Sequence, residues 1–135
     1  MKCTIVIKVL KGINSAFHHG EYTLQYIPYK WTYPSSGKIY AFQDYDHALR
    51  WASDYPGSSV WEAEAEIFKD GNCMMCTNED FYLCDFWEWY ASFLKGEVSA
   101  FPPCLEVAYT PNGTVLCNKL RITRKFKELY GSFRR

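Results

Sequence analysis

Three acidic side chains fall at alternate positions in the run "VWEAEAEI": Glu62, Glu64 and Glu66. On a strand, alternate side chains share a face, so these carboxylates would form a row opposite Trp61, Ala63, Ala65 and Ile67. Such a row does chemistry only where a cleft raises one carboxylate's pKa or where one grips a ligand hydroxyl. Alternation alone predicts the wet, acidic face of a half-buried strand. A second candidate is "CMMC", Cys73 to Cys76. Cys-x-x-Cys supplies half of a tetrahedral zinc site, but Cys3, Cys84, Cys104 and Cys117 offer no second close pair. Free cysteine is also among the most buried residue types, so no metal is expected. The third candidate is His18-His19-Gly20. An imidazole titrates near neutrality, and a glycine beside it lets a ligand approach the backbone.

Aromatic content marks the chain more than any motif. Of 135 residues, 19% are aromatic, with eleven Tyr, nine Phe and five Trp. A core of this size cannot hide all of them, and surface Tyr and Trp favour contact with a partner. Tyr22 and Trp31, with Gly20, are therefore ligand-binding candidates. Charge is balanced overall but unevenly placed. Residues 119–135 hold seven Lys/Arg and one Glu, whereas residues 1–118 hold eight Lys/Arg and fourteen acids. Arg121, Arg124, Lys125 and Lys127 interleave with Phe126 and Tyr130. Cations neutralise phosphates and rings stack on bases, which makes these four the nucleic-acid-binding candidates. The alternative is a terminal segment docked on the acidic body.

The elements that must position these residues follow from periodicity. "CTIVIKVL" reads as a buried strand over residues 2–10, "EYTLQYI" as a second and "KIYAF" as a third. "DYDHALRWAS" reads as a helix capped by Asp44, with Ala48, Leu49, Trp51 and Ala52 on its apolar face. "SSVWEAEAEIF" returns to period two and closes at Asp70-Gly71. "TNEDFYLCDFWEWYASFLKG" is a longer helix, opened by Thr77 with Asp80 and stopped by Gly96, whose core stripe is Phe86, Trp89, Phe93 and Leu94. "CLEVAYT-PNG-TVLCNKLRIT" predicts a hairpin turning at Pro111-Asn112-Gly113, and "RKFKELYGSFRR" a short basic helix or loose tail. The sum is a single α+β domain: a mostly antiparallel sheet of five or six strands packed by one long and one short helix. Residues 1–118 form the compact body, and residues 119–135 a basic strand end and tail. No apolar run approaches the roughly 18 residues of a membrane-spanning helix, and the amino terminus lacks a signal-peptide pattern. The expectation is a cytoplasmic chain with reduced cysteines.

Two resemblances add to this. "HHG" followed by "GKIYAFQDYDHALRWA", covering residues 18–52, resembles the first half of diphtheria-toxin and poly(ADP-ribose)-polymerase type ADP-ribosyltransferases. That resemblance implies NAD as cofactor, with His19 and Gly20 at the nicotinamide ribose and amide and Tyr40 stacked on the ring. A carboxylate, Glu64 or Glu106, would hold the ribose. The longer run from Tyr29 to Ile67 is similar in style to small bacteriophage proteins of compact α+β form, and implies no reaction and no cofactor. The leading expectation is a viral-type binding protein, acting in the host cytoplasm by contact with a protein or nucleotide-like partner, such as a host factor that it inhibits. An ADP-ribosyltransferase-like enzyme and a nucleic-acid binder are the alternatives.

Overall fold

The computed structural model describes residues 3–12, 14–15, 24–34, 37–77, 83–100 and 105–128. The chain is α+β, with a mostly antiparallel sheet and two helices. The sheet closes on itself. β1 (Thr4–Lys11) lies against β4 (Ser58–Asp70), β4 against β7 (Thr114–Glu128), and β7 against β3 (Ile39–Phe42). β3 returns to β1 through one register pair, Ile7 with Phe42. β2 (Asn14–Ser15) folds back on the end of β1.

A ring of four strands is very narrow, and closure requires strong coiling. The β4–β7 ladder supplies it through register shifts at Val60/Trp61, Glu62/Ala63, Glu66/Ile67 and Ile67/Lys69, since each bulge bends and twists its strand. Small inward residues make the interior fit. Ala41, Ala63 and Ala65 are buried there with Val6, Leu10, Ile39, Val115, Cys117, Leu120 and Ile122. β3 is short, so the segment after Leu24 continues its place along β7. Tyr29 N–H donates to the Ile122 carbonyl (2.9 Å), and Thr32 and Leu120 exchange backbone bonds of 2.8 and 3.1 Å. This segment inserts Tyr26, 1% exposed, into the interior.

Two layers cover the outside. α1 (Tyr45–Ala52) starts where expected: the Asp44 carboxylate accepts from His47 N–H at 2.9 Å. Its Ala48 and Ala52 lie on Ile7, Val9, Phe42 and Val60. The second layer holds α2 (Leu83–Leu94) and a two-stranded sheet of β5 (Met74–Cys76) and β6 (Val107–Tyr109). Phe86, Tyr90, Leu105 and Leu116 are buried between them, with Tyr40 against the cluster. Two tyrosines serve Met74: the Tyr40 hydroxyl donates to its carbonyl (2.7 Å), and its N–H donates to the Tyr90 hydroxyl (3.0 Å).

Several expectations change. The turn at Asn112-Gly113 forms, with Gly113 at φ +86°, but its arms do not pair. β6 joins β5 and β7 joins the barrel, where its Val115, Cys117, Leu120 and Ile122 are buried in the interior. Met74–Cys76 of "CMMC" form β5, an element that periodicity did not predict. Residues 124–128 are strand, paired with Ser59–Glu62, and not a helix or tail. Among the described residues of "EYTLQYI", the segment from Leu24 to Ile27 makes only an isolated bridge at Gln25. On α2, Tyr90 takes the buried place expected for Leu94, which is exposed. Asp80, the expected capping partner of Thr77, lies outside the described residues. No helix among the described residues is long and apolar enough to cross a membrane.

Candidate ligand-binding site

The β1–β3 junction is the weak seam of the barrel, because the two strands share a single register pair. Where the ladder stops, a side chain takes over. Lys8 faces inward with Val6 and Leu10, and its Nζ donates to the Tyr40 carbonyl at 2.5 Å. The amine lies 5.4 Å from the centre of the Tyr26 ring. Lys8 is 4% exposed. Burial pulls its pKa down from 10.5 to about 8, with a smaller upward pull from Cys117. Burial likewise pushes the Cys117 thiol up to about 12 and raises the Tyr26 phenol. Both neighbours are therefore neutral at physiological pH. The Tyr26 hydroxyl is buried without a hydrogen-bond partner among the described residues.

Outside this seam lies a cavity of ≈ 90 Å³. Lys8 and Val9 of β1, Tyr40, Ala41 and Phe42 of β3, Trp51 of α1, Tyr55, Met75 of β5, and Thr110, Pro111 and Thr114 line it. Its aromatic wall is continuous: Trp51 lies 5.8 Å from Phe42 and 4.4 Å from Tyr55, centre to centre. A concave apolar site with one convergent polar group and a perturbed lysine is what small-molecule sites look like. Two wider grooves lack that combination. One, of ≈ 460 Å³, runs over the Gly71–Asn72 and Asn112–Gly113 turns. The other, of ≈ 550 Å³, lies between Phe68 and α2; its lysine, Lys38, already bonds Asn118 Oδ1 (2.7 Å) and sits over Phe68.

Among the described residues singled out by sequence, Tyr40, Glu64 and Glu106 are not brought together, while Trp31, Arg121 and Glu64 are. His19, Gly20 and Tyr22 lie outside the described residues. Tyr40 points out of β3 into the α2 layer, 5.7 Å from Trp87, with its hydroxyl committed to Met74. Glu64 points out of β4 and pairs with Arg121. Since β1 and β7 separate β3 from β4 around the ring, the two side chains diverge. Glu106 is exposed beside β6, where its carbonyl accepts from the Thr77 N–H and hydroxyl. Trp31 is half-buried, with Lys119 and Arg121 over its ring at 4.4 and 4.6 Å.

The basic candidates sit on β7 beside the glutamates. Glu62 is opposite Arg124, Glu64 opposite Arg121 and Glu66 opposite Lys119, and Arg124 reaches Glu62 at 3.7 Å. Arg124 also lies over Phe126 (4.8 Å) and Lys125 over Trp61 (5.6 Å), while Lys127 is exposed. The glutamate strand and the basic end are thus adjacent strands of one barrel, with Arg121 paired to Glu64 and Arg124 to Glu62. Cys73 just before β5 and Cys76 at its end are both buried, and no group of three or more His, Cys, Asp or Glu among the described residues is arranged to hold a metal ion.

Sequence reasoning missed Lys8, Trp51 and Tyr55 as site residues. A lysine amid "TIVIKVL", with apolar neighbours two positions away on each side, was the available signal. No protein-family model, no curated protein and no solved structure matches this chain.

Proposed function

We propose that this protein binds a small ligand, and that the cavity at the β1–β3 seam receives the ligand's apolar part. The observation that carries this reading is the convergence of Phe42, Trp51, Tyr55, Met75 and Pro111 on one cavity that the buried Lys8 also lines. It narrows the broader expectation of a binding protein to a defined place, and it moves the site from the glutamates and the basic end to the seam. A cavity of ≈ 90 Å³ is smaller than the roughly 150 Å³ apolar cavity known to take up benzene. A short alkyl group or the edge of one ring therefore fits inside, with the rest of the ligand lying over Tyr55.

Titration with a neutral apolar probe such as benzyl alcohol, followed by ¹H–¹⁵N NMR, tests this. The expected result is saturable shifts centred on Val9, Phe42, Trp51 and Thr114. Tyr55 is 47% exposed, so Tyr55→Ala removes one wall of the cavity without emptying the core. It should weaken binding several-fold. Shifts scattered over the surface, or an affinity indifferent to Tyr55→Ala, would defeat the reading.

A further inference from the structure

We propose that the seam cavity selects the carboxylate of a short apolar acid, with Lys8 as the group that holds it; this rests on the cavity being the binding site. The Lys8 ammonium carries three N–H donors, and one is directed at the Tyr40 carbonyl. Beside the amine are the Tyr26 ring from the segment after Leu24 and the Cys117 thiol of β7, and the register partner of Lys8 on β4 is Trp61. None of these is an anion at neutral pH, and no carboxylate among the described residues faces the amine.

A buried ammonium without a counter-charge is an uncompensated cost. A ligand carboxylate supplies that counter-charge and accepts the remaining donors in charge-assisted bonds. A cationic ligand would add repulsion, and a neutral one would leave the charge unpaired. A dianionic phosphate would bring a second charge against Phe42, Trp51 and Met75, where the cavity wall offers no second cation. The small volume limits the apolar part to a few carbons or one ring edge. The chemistry therefore points to a small monocarboxylate such as a branched short-chain or aromatic acid.

Isothermal titration calorimetry on the full chain decides this with matched probes: isobutyrate against isobutyramide, and benzoate against benzamide. The acid should bind about tenfold tighter than its amide. Lys8→Met should abolish that difference while leaving amide binding in place. Because the bound carboxylate raises the pKa of Lys8, acid binding above pH 8 should take up a proton, read from the dependence of the heat on buffer ionisation enthalpy. Equal binding of acid and amide by the wild type overturns the role of Lys8 while leaving the cavity as the site. A preference that survives in Lys8→Met overturns it as well, and binding of neither probe overturns both readings. Should Lys8→Met not fold, the wild-type proton uptake decides alone, and its absence overturns the proposal.

Discussion

Glu64 and Arg121 face each other across β4 and β7, and the guanidinium bonds the carboxylate through Nε and Nη2. Trp31 lies against the same guanidinium. The alternate glutamates thus have a structural employment, as one side of a cross-strand ladder on the outside of the barrel. Both side chains are about one-third exposed, which places the pair with modest surface interactions. A double-mutant cycle of Glu64→Gln and Arg121→Met should give a coupling of about 0.5–1 kcal/mol. High salt should reduce it. Chemical denaturation at two ionic strengths checks this, and a coupling near zero at low salt would mean that the two side chains do not hold each other in solution.

Lys8 should leave a signature in stability against pH. Its folded pKa, about 8, lies below the 10.5 of an exposed lysine. Between those values the unfolded chain binds more protons, so this group's contribution to stability rises with pH. The penalty for burying the ammonium is fully present below pH 8, amounts to about 3 kcal/mol, and fades toward pH 10.5. Cys117 acts in the opposite sense, since its raised pKa keeps a proton in the fold that the unfolded chain loses above about pH 9. The stability difference between wild type and Lys8→Met isolates the lysine. Lys8→Met should be the more stable protein at pH 7, and its advantage should shrink steadily from pH 8 to pH 10. A difference that does not change with pH would show that Lys8 is solvated.

The limits of the sequence follow the same physics. Elements set by local rules were legible: the Asp44 cap, the inward alternation of Ala63 and Ala65, and the stop at Gly96, whose φ of +78° lets Glu97 N–H reach the Ser92 carbonyl (3.0 Å). Pairing set by distant partners was not. The Asn112-Gly113 turn has hairpin chemistry, yet Val107–Tyr109 finds its partner in Met74–Cys76, three residues too short and too uniformly apolar to show a period. The far half of β7 hid for another reason. Bulges opposite Val60 and Glu62 break its alternation just where the composition turns basic, so a barrel strand looks like a tail. The site was least legible, because the cavity exists only where β1, β3, α1 and the β6–β7 turn meet.

Tyr26 offers a cleaner test of the barrel interior. Its hydroxyl is buried and unpartnered among the described residues, and leaving such a group dry costs about 1–3 kcal/mol. Tyr26→Phe removes the hydroxyl while keeping the ring beside Lys8. The variant should be as stable as the wild type or more stable by about 1 kcal/mol, measured by urea denaturation. A loss of more than about 1 kcal/mol would mean that the hydroxyl has a partner in solution.

Two glycines separate backbone strain from steric contact. Gly12 and Gly37 both sit in the left-handed region, at φ +66° and +70°. A Cβ at Gly12 would meet nothing within 4 Å, whereas one at Gly37 would collide with the Trp87 indole. Gly12→Ala should therefore show the conformational cost alone, about 1 kcal/mol. Gly37→Ala must also push the Trp87 indole out of its place against Phe86 and Tyr40, and overpacking of that kind adds about 1–3 kcal/mol. Tyr40 connects this contact to the seam, since its hydroxyl holds Met74 and its carbonyl holds Lys8. Gly37→Ala should consequently weaken probe binding at the cavity as well as the fold, while Gly12→Ala leaves binding unchanged. Urea denaturation and probe titration on both variants read the two effects separately. Equal destabilisation by the two substitutions would show that Trp87 does not pack on Gly37, and an unchanged affinity in Gly37→Ala would show that Tyr40 does not transmit the displacement.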